Sequence, residues 1–115
     1  MRLLVFLAGP FTSNPMHGTR AASLAGDVLY EAGYDVYVPH LSILDDLLSP
    51  HDADYWYART LRMVEHCDLL LRLPGASEGA DREVARAREL GIPVFEGDAQ
   101  SFVTMYGKET DKEAK

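Results

Sequence analysis

A chain of 115 residues, 47% hydrophobic and 25% charged, has the make-up of an ordinary globular domain with a single core. Its net charge of −7 argues against a polymeric nucleic-acid partner, which normally needs a basic stripe or face. No apolar run approaches the roughly 18 residues that cross a bilayer, and "LLVFLAGP" lacks the basic leader and cleavage site of a signal peptide, so no membrane partner and a cytoplasmic location are expected.

The first predicted element is "RLLVFLAG" (2–9), a continuous apolar run of strand length, the pattern of a strand covered on both faces. In the loop "AGPFTSNPMHG" that follows, Gly9 allows close backbone approach, and Thr12 and Ser13 carry hydroxyls able to bond a substrate. A plain turn explains the loop as well. "TRAASLAGDVLYEAGY" predicts a helix capped by Thr19, with Ala21, Leu24, Ala25, Val28 and Ala32 as its apolar stripe and Gly33 closing it. "YDVYVP" is a second short strand ended by Pro39, which leaves His40 at a strand's carboxyl end, where a ligand is within reach. "HLSILDDLLS" reads as a loop with one helical turn. Ser49-Pro50 then opens a helix with proline in its permitted first-turn place, and "DADYWYARTLRMVEH" continues it. Trp56 shares a face with Met63 and with Arg59 or Thr60, and reads as core.

"CDLLLRL" is a third buried strand, broken by Pro74-Gly75. Cys67 is the only cysteine, which leaves no partner for an intramolecular disulfide, and it reads as a small buried hydrophobe. A helix is predicted from about Gly79 to Leu90, ended by Gly91, and "IPVFEG" is a fourth strand. Residues 98–107 add a short element. "KETDKEAK" (108–115) has no apolar face and reads as a frayed tail after a single domain spanning 1–107. The four histidines and the lone cysteine show no metal-ligand spacing, so no metal and no cofactor is expected.

Buried strands alternating with helices imply an α/β fold: a small doubly wound, Rossmann/flavodoxin-like parallel sheet of four to five strands flanked by helices. Ligands bind such sheets beyond the carboxyl ends of the strands, in the crevice where strand order reverses. Three loops leave carboxyl ends here: "AGPFTSNPMHG", "PHLSILDD" and "PGASEGAD".

The helix after Pro74-Gly75 contains an anomaly. At about 100° per residue from Ala80, Val84 falls near 40°, Ala87 near −20° and Leu90 near −80°, which defines the inward arc. Glu83, at about −60°, lies inside it, while Asp81, Arg82, Arg86, Arg88 and Glu89 lie outside. Two readings remain open. Either Glu83 faces the ligand crevice, or it sits at the edge of the buried face and reaches solvent, Arg86 or Arg20. Ser77 and Gly79 precede the helix and point a hydroxyl and free amides above the strand ends, a generic site for a phosphate or carboxylate. Taken alone, that turn is an ordinary cap at Ser77 with Glu78 and Asp81 answering the helix dipole.

Together, "VFLAGPF", "CDLLLRLPG" and "SEGADREVARARELGIPVF" resemble the nucleoside 2-deoxyribosyltransferase-like superfamily over residues 3–96, in particular its small bacterial and phage members. The Ser-x-Gly-Ala-x-x-Glu segment is the specific part. The turn is more loosely similar to that of the phosphoribohydrolases that release cytokinin bases. The resemblance implies that Glu83 is a nucleophile attacking the anomeric carbon of a nucleotide or nucleoside, with Ser77 at the 5′-phosphate as in the superfamily's nucleotide hydrolases. The substrate-binding residues expected are Gly9, Pro10, Phe11, Thr12, Ser77, Gly79 and Ala80, in or beside the matching segments, together with His40 from its place at a strand's carboxyl end. An N-glycosidic hydrolase acting on a (deoxy)ribonucleotide is the function expected. A non-catalytic nucleotide-sensing module and a deoxyribosyltransferase are the alternatives, and a homo-oligomer, dimer or tetramer, is implied. This chain departs from the superfamily at Phe6, where a tyrosine is common, and at Thr60, where the better-studied enzymes carry an aspartate used in proton transfer. Asp52, Asp54 and Asp68 are the nearby carboxylates available to replace it.

Overall fold

The computed structural model describes residues 2–11 and 15–108. Four strands form one all-parallel sheet: β1 (Leu4–Ala8), β2 (Asp35–Tyr37), β3 (Leu69–Arg72) and β4 (Val94–Glu96), in the order β2-β1-β3-β4. The helices are α1 (Pro15–Glu31), α2 (Ile43–Leu48), α3 (Ala53–Val64), α4 (Glu78–Glu89) and α5 (Ala99–Tyr106), with a 3₁₀ turn at Pro39–Ser42. The α/β architecture expected from the alternating pattern is the one observed, and the short element anticipated over 98–107 is α5. The tail from residue 109 onward lies outside the described residues.

The central strands are apolar on both faces because both are covered. Val5, Leu7, Leu69 and Leu71 pack with Ala22 and Leu29 of α1 and Phe102 of α5. Phe6, Ala8 and Leu70 pack on the other side with Val64 of α3 and Ala80, Val84 and Ala87 of α4. Cys67 belongs to this second cluster; its thiol donates to the Val64 carbonyl at 3.1 Å, and burial pushes its pKa up to about 11, so it behaves as a small hydrophobe. The chain runs from β1 to β2 on one side and continues through β3 and β4 on the other. Strand order therefore reverses between β1 and β3, and a crevice opens beyond their carboxyl ends.

Three local expectations are corrected. Helix α1 begins at Pro15, so Thr19 lies inside it rather than capping it. Proline suits a first helical turn, and Gly18, which looks like a loop residue, is where the helix crosses the loop after β1: a Cβ there would lie 2.3 Å from the Pro10 carbonyl oxygen. The buried face of α1 is also rotated from the expected stripe. Gly18, Ala22, Gly26 and Leu29 are buried while Leu24 and Val28 are exposed, because small residues let the helix lie close to the sheet. Finally, Ser49-Pro50 separates two helices rather than opening one. The residue before proline disfavours helical geometry, so α2 ends there, and α3 starts at Ala53 with the Asp52 side chain accepting from the Tyr55 amide at 2.9 Å.

Candidate active site

Helix α4 carries one wall of the crevice. Ser77 is its N-cap: extended backbone turns the side chain inward, and Oγ accepts the Ala80 amide at 3.1 Å. The other first-turn amides have no intrahelical acceptor, and Ser77 and Gly79 line the space above the strands. At Gly79 the Tyr57 ring packs close, and a Cβ would approach it to 3.1 Å, so a larger residue would need the ring to shift.

Six residues into the helix, Glu83 is only 7% exposed and lines the crevice. The edge-of-face alternative does not describe it, because Arg86 pairs with Glu65 and Glu89 and Arg20 is exposed. Leu90, expected at the border of the buried arc, is 41% exposed as the helix ends. Burial pushes the Glu83 carboxyl up to about 8, opposed by a hydrogen bond with the Thr60 side chain and by the Arg72 guanidinium. The helix N-terminus does little to hold this carboxylate ionised: its field fades beyond the first turn, and Glu83 lies in the second. Arg72, buried at the end of β3, is tied to Asp81 Oδ1 at 3.1 Å and to the Leu73 carbonyl, which divides its charge among several partners.

Thr60 stands on α3 against Glu83, at the position where the resemblance leads one to expect an aspartate. Its hydroxyl also donates to the Tyr57 carbonyl at 3.3 Å, so one hydrogen serves either that carbonyl or Glu83. None of the suggested replacements reaches the crevice. Asp52 caps α3, Asp54 is exposed in its first turn, and Asp68 accepts the Leu4 amide at the opposite end of the sheet. The second carboxylate of the crevice is Asp46. Its Oδ1 accepts the Trp56 indole N–H at 2.6 Å and the His51 amide at 3.0 Å, and these donors hold its carboxyl below the usual range.

The opposing wall comes from residues 39–60. His40 is 4% exposed and its Nε2 lies 3.2 Å from both the Gly9 and Pro10 carbonyls. Two carbonyls at one nitrogen place the ring proton on Nε2, and burial lowers the pKa, so the imidazole is neutral and braces the loop after β1. Its Nδ1 is buried, and among the described residues it has no hydrogen-bond partner. Trp56 is half-buried and forms part of this wall, contrary to its reading as core; the buried residue of α3 is Val64.

Together the walls enclose a cavity of about 200 Å³. Of the nine predicted site residues, Gly9, Phe11, His40, Ser77, Gly79, Ala80 and Glu83 line it. Pro10 stands behind it, its carbonyl on His40, and Thr12 lies outside the described residues. Sequence reasoning missed Ser42, Ile43, Asp46, Trp56, Tyr57 and Thr60 as lining residues. The spacing of Ile43 to Asp46 and of Trp56 to Thr60 places each pair on one helical face, but nothing local marks those faces as turned toward the crevice. Among the described residues no group of three or more His, Cys, Asp or Glu is placed to hold a metal ion, and no helix is long and apolar enough to cross a membrane.

A parallel sheet in this order, with its cavity at the β1/β3 reversal, has the nucleoside 2-deoxyribosyltransferase-like fold. The 2-deoxyribosyltransferase of Bacillus psychrosaccharolyticus, described as a biocatalyst for nucleoside synthesis, superposes with a TM-score of 0.60 at 20% identity, over 81% of this chain and 70% of that one. The corresponding enzyme of Leishmania mexicana gives a TM-score of 0.62 at 18% identity, over 82% of this chain and 63% of that one. At these identities the likeness is one of fold. The chain belongs to the family described as Domain of unknown function (DUF4406), whose model matches residues 3–96. A comparison with curated proteins gives no match.

Proposed function

We propose that this protein hydrolyses the N-glycosidic bond of a (deoxy)ribonucleotide, with Glu83 as nucleophile. The observation that carries the reading is a buried carboxyl lining a cavity whose same helix offers a capping serine and free first-turn amides. A 5′-phosphate at Ser77 and the α4 N-terminus sets the sugar beside Glu83, one turn further on. Ionised Glu83 attacks C1′, the bond from C1′ to the base nitrogen breaks with its electron pair going to the base, and a glycosyl ester remains. Water then attacks C1′, releasing the sugar phosphate and restoring the carboxylate, the double displacement of retaining glycosidases. Asp46 is held ionised, the His40 N–H is committed to two carbonyls, and a threonine is no acid near neutral pH. The leaving base therefore takes its proton from water.

The test is incubation of the pure protein with a panel of nucleotides and nucleosides, with free base followed by chromatography. Release by wild type and loss of release in Glu83→Ala is the expected result; no release, or equal release by both, would overturn the proposal.

A second reading has its own support. A carboxyl neutral at pH 7 and bonded to Thr60 suits a module that binds a nucleotide without cleaving it. Calorimetry distinguishes this: binding without turnover, unchanged by Glu83→Gln, is its signature. Deoxyribosyl transfer, the activity named for both similar structures, would pass the sugar to a second base here and is revealed by adding a free base to the same assay. The expected homo-oligomer belongs to the proposal as well. It is supported by the exposed Leu44, Leu47 and Leu48 of α2 and is tested by light scattering.

A further inference from the structure

The cavity contains two carboxyl groups in opposite states, and the mechanism above uses only Glu83. Asp46 lines the other wall, and its geometry is unusually determined for a side chain on a short helix. Both of its strong donors, the Trp56 indole at 2.6 Å and the His51 amide at 3.0 Å, converge on Oδ1. Among the described residues no hydrogen bond takes Oδ2. An ionised carboxylate with one oxygen occupied offers the cavity an acceptor and no donor. The surroundings are flat and apolar: Phe11, Ile43 and the Trp56 ring border the same space.

Given the nucleotide reading, on which this inference rests, phosphate at Ser77 and C1′ at Glu83 leave the base as the part of the ligand that meets the wall of residues 39–60. We propose that Asp46 selects the base, with Oδ2 accepting from an exocyclic amino group, so that the substrates are nucleotides of amino-bearing bases. A base carbonyl in that position would set two acceptors against each other and leave both unpaired, which disfavours the keto counterparts.

The test exploits pairs of bases that differ at one position. Calorimetry measures binding of the 5′-monophosphates of cytidine, uridine, adenosine and inosine to Glu83→Gln protein, which does not consume them. Asp46→Asn in that background keeps Oδ1 for Trp56 and His51 and converts the free oxygen into an N–H donor; unchanged tryptophan fluorescence checks that the wall is intact. With Asp46 present, the amino-bearing member of each pair is expected to bind about ten- to a hundredfold more tightly. The preference is expected to reverse in Asp46→Asn and to vanish in Asp46→Ala. No preference with Asp46 present, or the same preference in Asp46→Asn, overturns the inference. Amino-selective binding without base release by the parent protein overturns only the hydrolase reading, and base release with no Asp46-dependent selectivity overturns only this one. Failure to bind any nucleotide overturns both.

Discussion

The α4 wall of the cavity comes from seven consecutive residues, Ser77 to Glu83, whereas the facing wall needs a strand end, a 3₁₀ turn and two helices folded against one another. The first carries a carboxyl that burial keeps neutral, and the second carries one that two donors keep ionised. Opposed environments for two like groups are how a site assigns different work to each. On the proposed reading, the α4 wall acts on the sugar and the wall of residues 39–60 holds what the sugar bears. A change at Glu83 is expected to strike turnover, a change at Ser77 the hold on a phosphate, and changes on the facing wall affinity and base selectivity.

The largest expected effect is in the pH dependence of base release. In the proposed mechanism attack needs ionised Glu83, and the groups that face it are Thr60, Arg72 and, through its effect on the phenol, Tyr37. With a pKa of about 8 in the free protein, kcat/KM should rise about fiftyfold between pH 6 and pH 8 and then level off. A flat profile would remove Glu83 from the chemistry.

Stability should run the other way. The folded protein keeps the Glu83 proton up to about pH 8, while the unfolded chain loses it near the ordinary value of 4.5. Stability from this group is therefore full below 4.5 and declines as pH rises from 4.5 to about 8. Glu83→Gln does not titrate, so it should stabilise the fold by about 2–4 kcal/mol at pH 7–8 and by under about 1 kcal/mol at pH 5, read from denaturant midpoints at the two pH values. Equal effects at both pH values would contradict the burial account.

On the facing wall, Trp56→Phe removes the indole donor that fixes Asp46. A several-fold rise in KM with kcat little changed is expected, about the worth of one charge-assisted hydrogen bond. A fall in kcat alone would break the division between the walls. The smallest effect is that of Ser77→Ala on stability, about 1 kcal/mol for a lost cap, accompanied by a greater loss of affinity for nucleotides than for nucleosides.

The same contrast explains what was legible in the sequence. Glu83 stands out because helical phase is a local property and Ala80, Val84 and Ala87 define it within two turns. The Ser77 cap is equally local. The central strands β1 and β3 are readable because a strand buried on both faces is a continuous apolar run. Asp46 and Trp56 carry no such mark: the sign that they belong together is a hydrogen bond between two helices across a Ser-Pro break. The face of α1 was misjudged for a related reason. Periodicity weighs Leu24 and Val28 above Gly18 and Gly26, whereas close packing on the sheet selects the smaller residues. Thr60 shows the converse case, a residue noticed for what it lacks whose actual partner, Glu83, only the folded chain brings near.

The most direct test of the central claim is mass spectrometry of protein quenched with acid during turnover of a nucleotide. A sugar-phosphate adduct on the tryptic peptide Glu83–Arg86, absent in Glu83→Gln, is the result expected of a glutamyl ester intermediate. Base release that continues in Glu83→Gln, with no adduct on that peptide in the wild type, would contradict it.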